Sequence, residues 1–201
     1  MTYLYPDFPL LGTRPYVHST SILNFLDGIV AGSEDNRIDL RIVSQVLPGA
    51  RALLLDHADT AAVTTTPAAA IARIGPRSLL FVNPSAPVAA ERRPDGFEEM
   101  LSALTQANGE TTLGLPSNNR HTFWDRTVFG AKCHLTLYHS ATSLDASPQG
   151  AARFLLSRII CTQAHDAETL NFATEIVLDG KWVRIGIHAK GQRLGYALAG
   201  Q

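Results

Sequence analysis

The stretch that decides the fold is Asn171–His188, NFATEIVLDGKWVRIGIH, in which two alternating runs flank the dipeptide Asp179-Gly180. Asp-Gly favours a two-residue type I′ turn, because both central residues of that turn need a positive φ. Alternation of apolar and polar residues on each side of such a turn is typical of paired strands. The sequence therefore predicts an antiparallel hairpin here.

Counting outward from the turn predicts which side chains share each face of the hairpin. One face places Glu175 opposite Arg184, and it also carries Trp182 and His188. We interpret this polar face as a solvated surface with one cross-strand ion pair, and the alternative is the lining of a ligand groove. The other face is almost wholly apolar and is predicted to be buried. Its members are Phe172, Thr174, Ile176, Val183, Ile185 and Ile187.

Composition indicates an ordinary globular chain. Its 201 residues suffice for one sizeable core or two small ones, and a charged content of 17% argues against disorder. A net charge of −1 shows no excess of positive charge that would indicate nucleic-acid binding. No apolar run approaches the ~20 residues of a membrane span, and the start, MTYLYPDFPLLGTRP, lacks the pattern of a signal peptide. We therefore expect neither a nucleic-acid nor a membrane partner, and a cytoplasmic location.

The predicted fold is α+β, with a mainly antiparallel sheet of five to seven strands and about three helices packed on one face. A single domain is expected over 1–201, with an extended arm over 1–17 and the nearest candidate boundary at 83–95. The aromatic arm would cross the core or form a homodimer contact. Apolar residues at helical spacing predict a helix over Ser19–Val30.

The middle of the chain leaves alternatives open. The Ala-rich stretch from Thr66 to Gly75 has Pro67 at its first helical position, which favours a helix. Residues 51–115 also suit a small parallel α/β unit, while 151–162 suit either a helix or a strand. Residues 131–140 alternate like a strand, and the tail from 191 is expected to be loosely held.

The first candidate site is the polar-aromatic segment 116–126, PSNNRHTFWDR, because connections rich in functional groups often carry binding residues. His121 and Asp125 would form an acid–base pair. Trp124 would stack on a planar ligand, and Arg120 or Arg126 would hold a carboxylate. The alternative is a solvated loop that Trp124 anchors.

The second candidate is the predicted helix start at 14–21, RPYVHSTS. Helix starts attract anions, and Arg14 and Ser19 would add donors there. The helix dipole favours a neutral imidazole at His18, which would serve as a base. The alternative is ordinary helix capping.

Two further clusters give weaker evidence for a functional site. In Asp56-His57-x-Asp59, carboxylates beside a histidine would hold a metal or orient a base. Asp56 and His57 would point to opposite faces of a strand, however, so we interpret His57 as a core or rim histidine. Cys133 and Cys161 lack the spacing of a zinc site, and no set of ligands at metal spacing is found, so no metal is expected.

These residues favour a protein that binds a small anionic metabolite or acyl compound, or acts on it. The alternative is a non-catalytic interaction or regulatory subunit that binds a protein partner through aromatic surfaces. The sequence identifies no cofactor and does not decide whether the chain is an enzyme.

Overall fold

The computed structural model describes residues 2–30, 36–56, 66–86, 88–94, 97–116, 119–142, 155–179 and 181–200, without the side chains of 138–142. The chain divides into two compact units, Met1–Asp95 (unit 1) and Gly96–Gln201 (unit 2). Whether it behaves as the single domain expected from the sequence stays a prediction. In the described part, no helix is long and apolar enough to cross a membrane.

The described residues of unit 1 form five antiparallel strands in the order β1-β4-β6-β5-β3, one helix, and a short parallel pair of β2 with β7. Its elements are β1 (Thr2–Leu4), β2 (Leu10–Leu11), α1 (Ser19–Val30), β3 (Arg37–Ile42), β4 (Arg51–Asp56), β5 (Ala70–Ile74), β6 (Arg77–Val82) and β7 (Arg92–Arg93).

The core of unit 1 joins α1 to the sheet. The helix forms over the predicted residues because its apolar positions recur at helical spacing, and Ile22, Leu26 and Val30 are buried. Phe8, from the predicted arm, lies 5.7 Å from the ring of Phe25 in an edge-on contact. The arm therefore packs on the core of unit 1.

In unit 2, the part of the chain that the structure describes forms six antiparallel strands in the order β10-β13-β12-β11-β9-β8 and two helices. Its elements are α2 (Glu98–Ser102), β8 (Leu104–Ala107), β9 (Glu110–Gly114), α3 (Phe123–Thr142), β10 (Leu155–Thr162), β11 (Thr169–Leu178), β12 (Trp182–Ala189) and β13 (Gln192–Gly200).

The long helix α3 packs on β9, β11 and β12. The helix approaches the sheet closely at Gly130, where an added Cβ would lie 2.1 Å from the ring of Phe172. The helix buries a stripe spaced three or four residues apart, as an amphipathic helix does. That stripe comprises Trp124, Val128, Ala131 and Leu135.

The antiparallel pairing of the predicted hairpin is confirmed, but the pairing nearest the turn is wrong, because Leu178 pairs with Trp182 and not with Lys181. Asp179 has a φ of 52°, and the N–H of Lys181 donates to the carbonyl of Leu178 at 3.0 Å, which closes the turn. Thr174 pairs with Ile185 as predicted, but a bulge at Glu175 then shifts the register by one residue towards the turn. On the apolar face Val183, Ile185 and Ile187 are buried, whereas Ile176 is partly exposed.

The predicted fold class is wrong. In place of an α+β fold with five to seven strands, the described residues form a mostly antiparallel structure with eleven antiparallel strands, five in unit 1 and six in unit 2. The described helices number three, and α2 spans five residues. Sheet dominates because several segments that resemble helix or loop locally find strand partners far along the chain.

Two segments account for much of this error. Pro67 and the alanines after it predicted a helix, yet Ala70–Ile74 forms β5 between β3 and β6, with alternate residues buried. Burial in a sheet overrides the helical preference of alanine. Conversely, residues 131–140 alternate like a strand but form half of α3. The buried stripe of this helix begins at Trp124, within the segment 116–126 that the sequence predicts to be a loop.

The remaining open segments are strands. Residues 155–162 form β10, and the tail expected to be loose forms β13, which pairs with both β10 and β12. The alternative of a parallel α/β unit over 51–115 is also wrong, because β5 pairs antiparallel with β6, and β8 antiparallel with β9. Arg41 pairs with Ile71, and Asp56 pairs with Arg77.

Candidate functional site

The segment predicted as a binding loop is, for its second half, the start of α3. The carbonyl of Thr122 accepts the first helical hydrogen bond from the N–H of Arg126 at 3.2 Å. The N–H of Asp125 donates to the Thr122 hydroxyl, and the N–H of Thr122 donates to the Asp125 carboxylate, both at 3.0 Å. This reciprocal pair is a capping box, which satisfies N–H groups that the helix itself leaves open.

His121 lies directly before this cap, and its side chain is 7% exposed. Its backbone N–H donates to Asn119 Oδ1 at 2.7 Å, which fixes the backbone before the helix. The His121 Nε2 lies 3.4 Å from Glu99 Oε2, and the Arg120 Nε lies 3.1 Å from the same oxygen. Glu99, on α2, therefore faces both predicted site residues.

The acid–base pair of His121 and Asp125 stays a prediction. Asp125 is engaged with the Thr122 hydroxyl at 2.9 Å as part of the cap. The carboxylate that faces His121 belongs to Glu99, 22 positions earlier in the chain. A carboxylate near an imidazole can orient it and stabilise its protonated form.

Trp124 and Arg126 are both buried. The Trp124 side chain is 0% exposed and makes an edge-on contact with Phe123 at 5.0 Å, so its ring faces are not open to a ligand. Arg126 donates through Nη1 to the carbonyl of Ala167. Burial lowers the pKa of the Arg126 guanidinium, and the charge of Asp125 acts in the opposite direction.

Three side-chain nitrogens at this helix start share an unusual property. His121 Nε2, Trp124 Nε1 and Arg126 Nε are buried and form no hydrogen bond within the described ranges. The 3.4 Å contact of His121 with Glu99 lacks hydrogen-bond geometry, so it is an ion-pair contact only when the imidazole is protonated. Buried polar groups normally have partners, because leaving one unpaired costs about 1–3 kcal/mol.

The second predicted site lies in unit 1. His18 is buried, and its Nδ1 lies 2.9 Å from the Thr20 hydroxyl and accepts from the Thr20 N–H at 3.4 Å. Its carbonyl accepts from the N–H of Ser21 at 3.0 Å, which makes His18 the residue that caps α1. Ser19 follows as the first helical residue, and the carbonyl of Arg14 accepts from Arg92 Nη1 at 3.2 Å. The capping alternative describes this arrangement.

The cysteines are poor nucleophiles at neutral pH. Burial raises the pKa of the Cys133 thiol to about 11 and that of Cys161 to about 12, so both remain protonated. Within the described ranges, no three His, Cys, Asp or Glu side chains lie close enough to hold a metal ion. His57 and Asp59 fall outside the described residues.

Sequence reasoning missed three features of this region. The capping box had a readable signal, Thr122-x-x-Asp125, but Asp125 had been assigned to acid–base chemistry. Glu99 had none, because its contact with His121 depends on how α2 packs. The third is His134 on α3, whose imidazole lies 2.9 Å from the Thr111 hydroxyl and 3.0 Å from that of Thr174.

Comparison with known proteins yields structural neighbours but no sequence relative. No family model matches the chain, and no curated protein matches it. One neighbour is a protein described as a thioesterase II from Thermobifida fusca, with 11% identity, a TM-score of 0.44 and coverage of 98% of this chain and 91% of that one.

A second neighbour is the dehydratase domain of MlnD from Bacillus amyloliquefaciens, at 12% identity and a TM-score of 0.42, covering 94% and 85% of the two chains. A third is the tesB protein of Mycobacterium avium subsp. paratuberculosis, at 8% identity and a TM-score of 0.44, covering 96% and 89%. Identities and TM-scores this low support no inference about the activity of this chain.

Proposed function

We propose that unit 2 binds a small anionic metabolite or acyl compound at the start of α3 and acts on it with His121 as the base. The observation that carries the proposal is the set of three buried nitrogens at 121–126 without a hydrogen-bond partner among the described residues. Two of them, on Trp124 and Arg126, are obligate donors. A carboxylate or acyl carbonyl oxygen is the acceptor that such donors lack.

The roles of the residues differ from those expected of an open loop. Arg126 supplies a desolvated cation, which is worth more to an anionic ligand than an exposed one because little water screens it. Trp124 would contribute its indole N–H rather than a stacking face. Glu99 would position His121 and stabilise its imidazolium after proton transfer, while Arg120 shares that carboxylate.

The test is thermal unfolding of three site variants and one control variant, each with a panel of short carboxylates and acyl thioesters. Trp124→Phe removes the indole N–H and keeps an aromatic ring, Arg126→Lys keeps the charge without the Nε donor, and His121→Ala removes the base. We expect at least one compound to raise the unfolding midpoint of the parent protein and to lose that effect in these three variants.

His165→Ala is the matched control, because His165 is an exposed histidine of the same unit. It should keep the ligand-induced shift in full. If no compound raises the midpoint of the parent protein, the three nitrogens are served by bound water and the proposal fails. An equal loss in His165→Ala would likewise remove the role given to His121.

The alternative of a partner-binding surface has one specific observation in its favour. Trp182 is 40% exposed and lies across Gly200, where an added Cβ would be 2.4 Å from the indole. Leu178 pairs across the strands with Trp182 and is also exposed, so the two side chains form a small apolar patch. We infer that this patch is a contact between two copies of the chain.

Sedimentation equilibrium tests that inference. A dimer that dissociates in Trp182→Ser but persists in Val43→Ser, an exposed apolar residue of unit 1, would support it. A monomer at all concentrations would exclude it.

A further inference from the structure

A second cluster of charged side chains lies on the face of the unit 2 sheet that α3 does not cover. Phe172 and Ile187 form a buried cross-strand pair, and the ring of Phe172 contacts Gly130 of α3. Asn171 and His188 form the next pair and point to the opposite face, because side chains alternate along a strand. The outer-face cluster, as we define it, consists of Glu175, Arg184, His188, Arg193 and Tyr196.

Two arginines of this cluster share one carboxylate. Arg193 donates through Nε to Glu175 Oε1 and through Nη2 to Oε2, both at 2.7 Å. The Arg184 Nε lies 2.9 Å from Oε2 of the same carboxylate. One negative charge therefore faces two positive charges, and the three side chains keep a net charge of +1.

Arg184 lacks an acceptor for one buried donor. Its Nε is inaccessible to water, and its contact with Glu175 does not have the geometry of a hydrogen bond. The Arg184 side chain as a whole is 35% exposed, and that of Arg193 is 47% exposed, so both arginines lie at the surface. An oxyanion beside the two guanidinium groups would meet the positive charge that Glu175 leaves unbalanced.

Neighbouring residues hold both guanidinium groups in place. The guanidinium carbons of Arg184 and Arg193 lie 5.4 and 5.7 Å from the centroid of the Tyr196 ring, within the range of cation–π attraction. At Gly186 an added Cβ would lie 2.5 Å from Glu175 Oε1. The absence of a side chain at 186 therefore lets the carboxylate lie over the sheet between its two cations.

An open cleft of about 580 Å³ adjoins the cluster. Asn171 connects the two, because it lines the cleft and pairs across strands with His188, which in turn pairs with Arg193. The Thr112 hydroxyl donates to Asn171 Oδ1 at 2.8 Å and so orients that amide. This volume lies in the range of small-molecule sites. The cleft is lined by Asp166, Glu168, Thr169, Asn171, Lys190 and Gly191.

We propose that the outer-face cluster and this cleft form a second binding site, for a small compound that carries one oxyanion, either a phosphate or a carboxylate. Arg184 and Arg193 bind the oxyanion, and the polar walls of the cleft bind the remainder of the compound. The site goes beyond the proposed function, because it shares no residue with the start of α3 and lies on the uncovered face of the sheet.

Calorimetric titration of the full chain with inorganic phosphate, and separately with acetate, tests the site at constant ionic strength. We expect one of the two anions to bind with a Kd of about 1 mM or tighter. Arg184→Gln and Arg193→Gln should each weaken that binding at least ~10-fold, since each removes a charge-assisted donor. Preference for phosphate over acetate would identify a phosphorylated compound, and the reverse preference a carboxylate.

Arg51→Gln is the matched control, because Arg51 is an exposed arginine over the ring of Tyr3, at 5.3 Å, on a strand of unit 1. It should leave the affinity unchanged. Glu175→Gln removes the carboxylate that competes for the two arginines, so it should tighten anion binding, a gain that a folding defect cannot produce. No binding of either anion by the parent protein up to about 10 mM overturns the proposal. So does an equal loss in Arg51→Gln, or an unchanged affinity in Glu175→Gln.

Discussion

The two long helices each begin beside a buried histidine, and they use it in opposite ways. At α1, His18 is the cap itself, since its carbonyl accepts from Ser21 and its Nδ1 accepts from the N–H of Thr20. At α3, the capping work is done by Thr122 and Asp125, while the imidazole of His121 faces Glu99.

The difference teaches when a histidine at a helix start is available for chemistry. The Nδ1 of His18 is occupied by its own helix, so protonation there would expel the N–H that it accepts. His121 does not cap its helix, because the Thr122 hydroxyl and the Asp125 carboxylate form the cap. A histidine next to a complete capping box is therefore the better candidate for a base than one that forms the cap.

The largest expected effect concerns the anchor of the α3 start. Trp124→Ala should lower the free energy of unfolding by about 3–5 kcal/mol, because the side chain is completely buried and would leave a cavity. The same change at Trp182, which is 40% exposed, should cost far less. Chemical denaturation of both variants measures the two losses. Equal losses would contradict the assignment of Trp124 as an anchor.

The next largest effect is the difference in unfolding free energy between alanine variants of His18 and His121. His18→Ala removes a side-chain cap and should cost about 0.5–2 kcal/mol, in the range found for other capping residues. His121→Ala leaves its helix capped, so its cost should be the smaller of the two. Urea unfolding of the pair gives the comparison directly, and a larger loss at His121 would break it.

A third buried histidine provides a pH test of the same idea. Desolvation lowers the pKa of His134 below its ordinary value of 6.5, and the nearby charge of Glu110 opposes that shift. The neutral form is thus favoured in the folded state. The stabilising contribution is present above pH 6.5 and is lost as the pH falls from there through the folded-state pKa.

His134→Gln should weaken this acid dependence while keeping a side chain that can bond to threonine hydroxyls. Unfolding midpoints measured from pH 8 down to about 5 show the difference. Parallel curves for the two proteins would assign the acid sensitivity to another group.

The smallest expected effect concerns Asp125. Asp125→Asn keeps an acceptor for the Thr122 N–H and removes a negative charge from the positive end of the α3 dipole, so it should cost about 0.3–1 kcal/mol. Any ligand-induced shift should remain, since the role given to Asp125 is the cap it forms with Thr122. A ligand effect that vanished in Asp125→Asn would support the acid–base pair predicted from the sequence.

Local signals in the sequence were sufficient for some of these features. The strand pairing of the final hairpin is confirmed because its alternation is local, and α1 is confirmed because its apolar stripe is complete within twelve residues. The bulge at Glu175 could not be predicted, because the carboxylate is held by Arg193 on a strand that the local pattern did not identify.

Long-range packing decided the rest. Ala70–Ile74 became a strand because β3 and β6 pair with both of its edges, which no property of the five residues specifies. The candidate site followed the same rule. Its residues were found from their chemistry at 120–126, whereas Glu99 comes from a different helix and was visible only in the fold.

Gly130 gives the unit 2 layers a fixed separation. Glycine within a helix costs about 0.5–1 kcal/mol relative to alanine, yet here the ring of Phe172 occupies the volume that a methyl group would need. One turn further along α3, His134 reaches hydroxyls on β9 and β11 across the same interval. Gly130 therefore sets the length of the two hydrogen bonds of His134, although it forms neither of them. A methyl group at position 130 would push the helix away from the sheet and lengthen both hydrogen bonds of the imidazole.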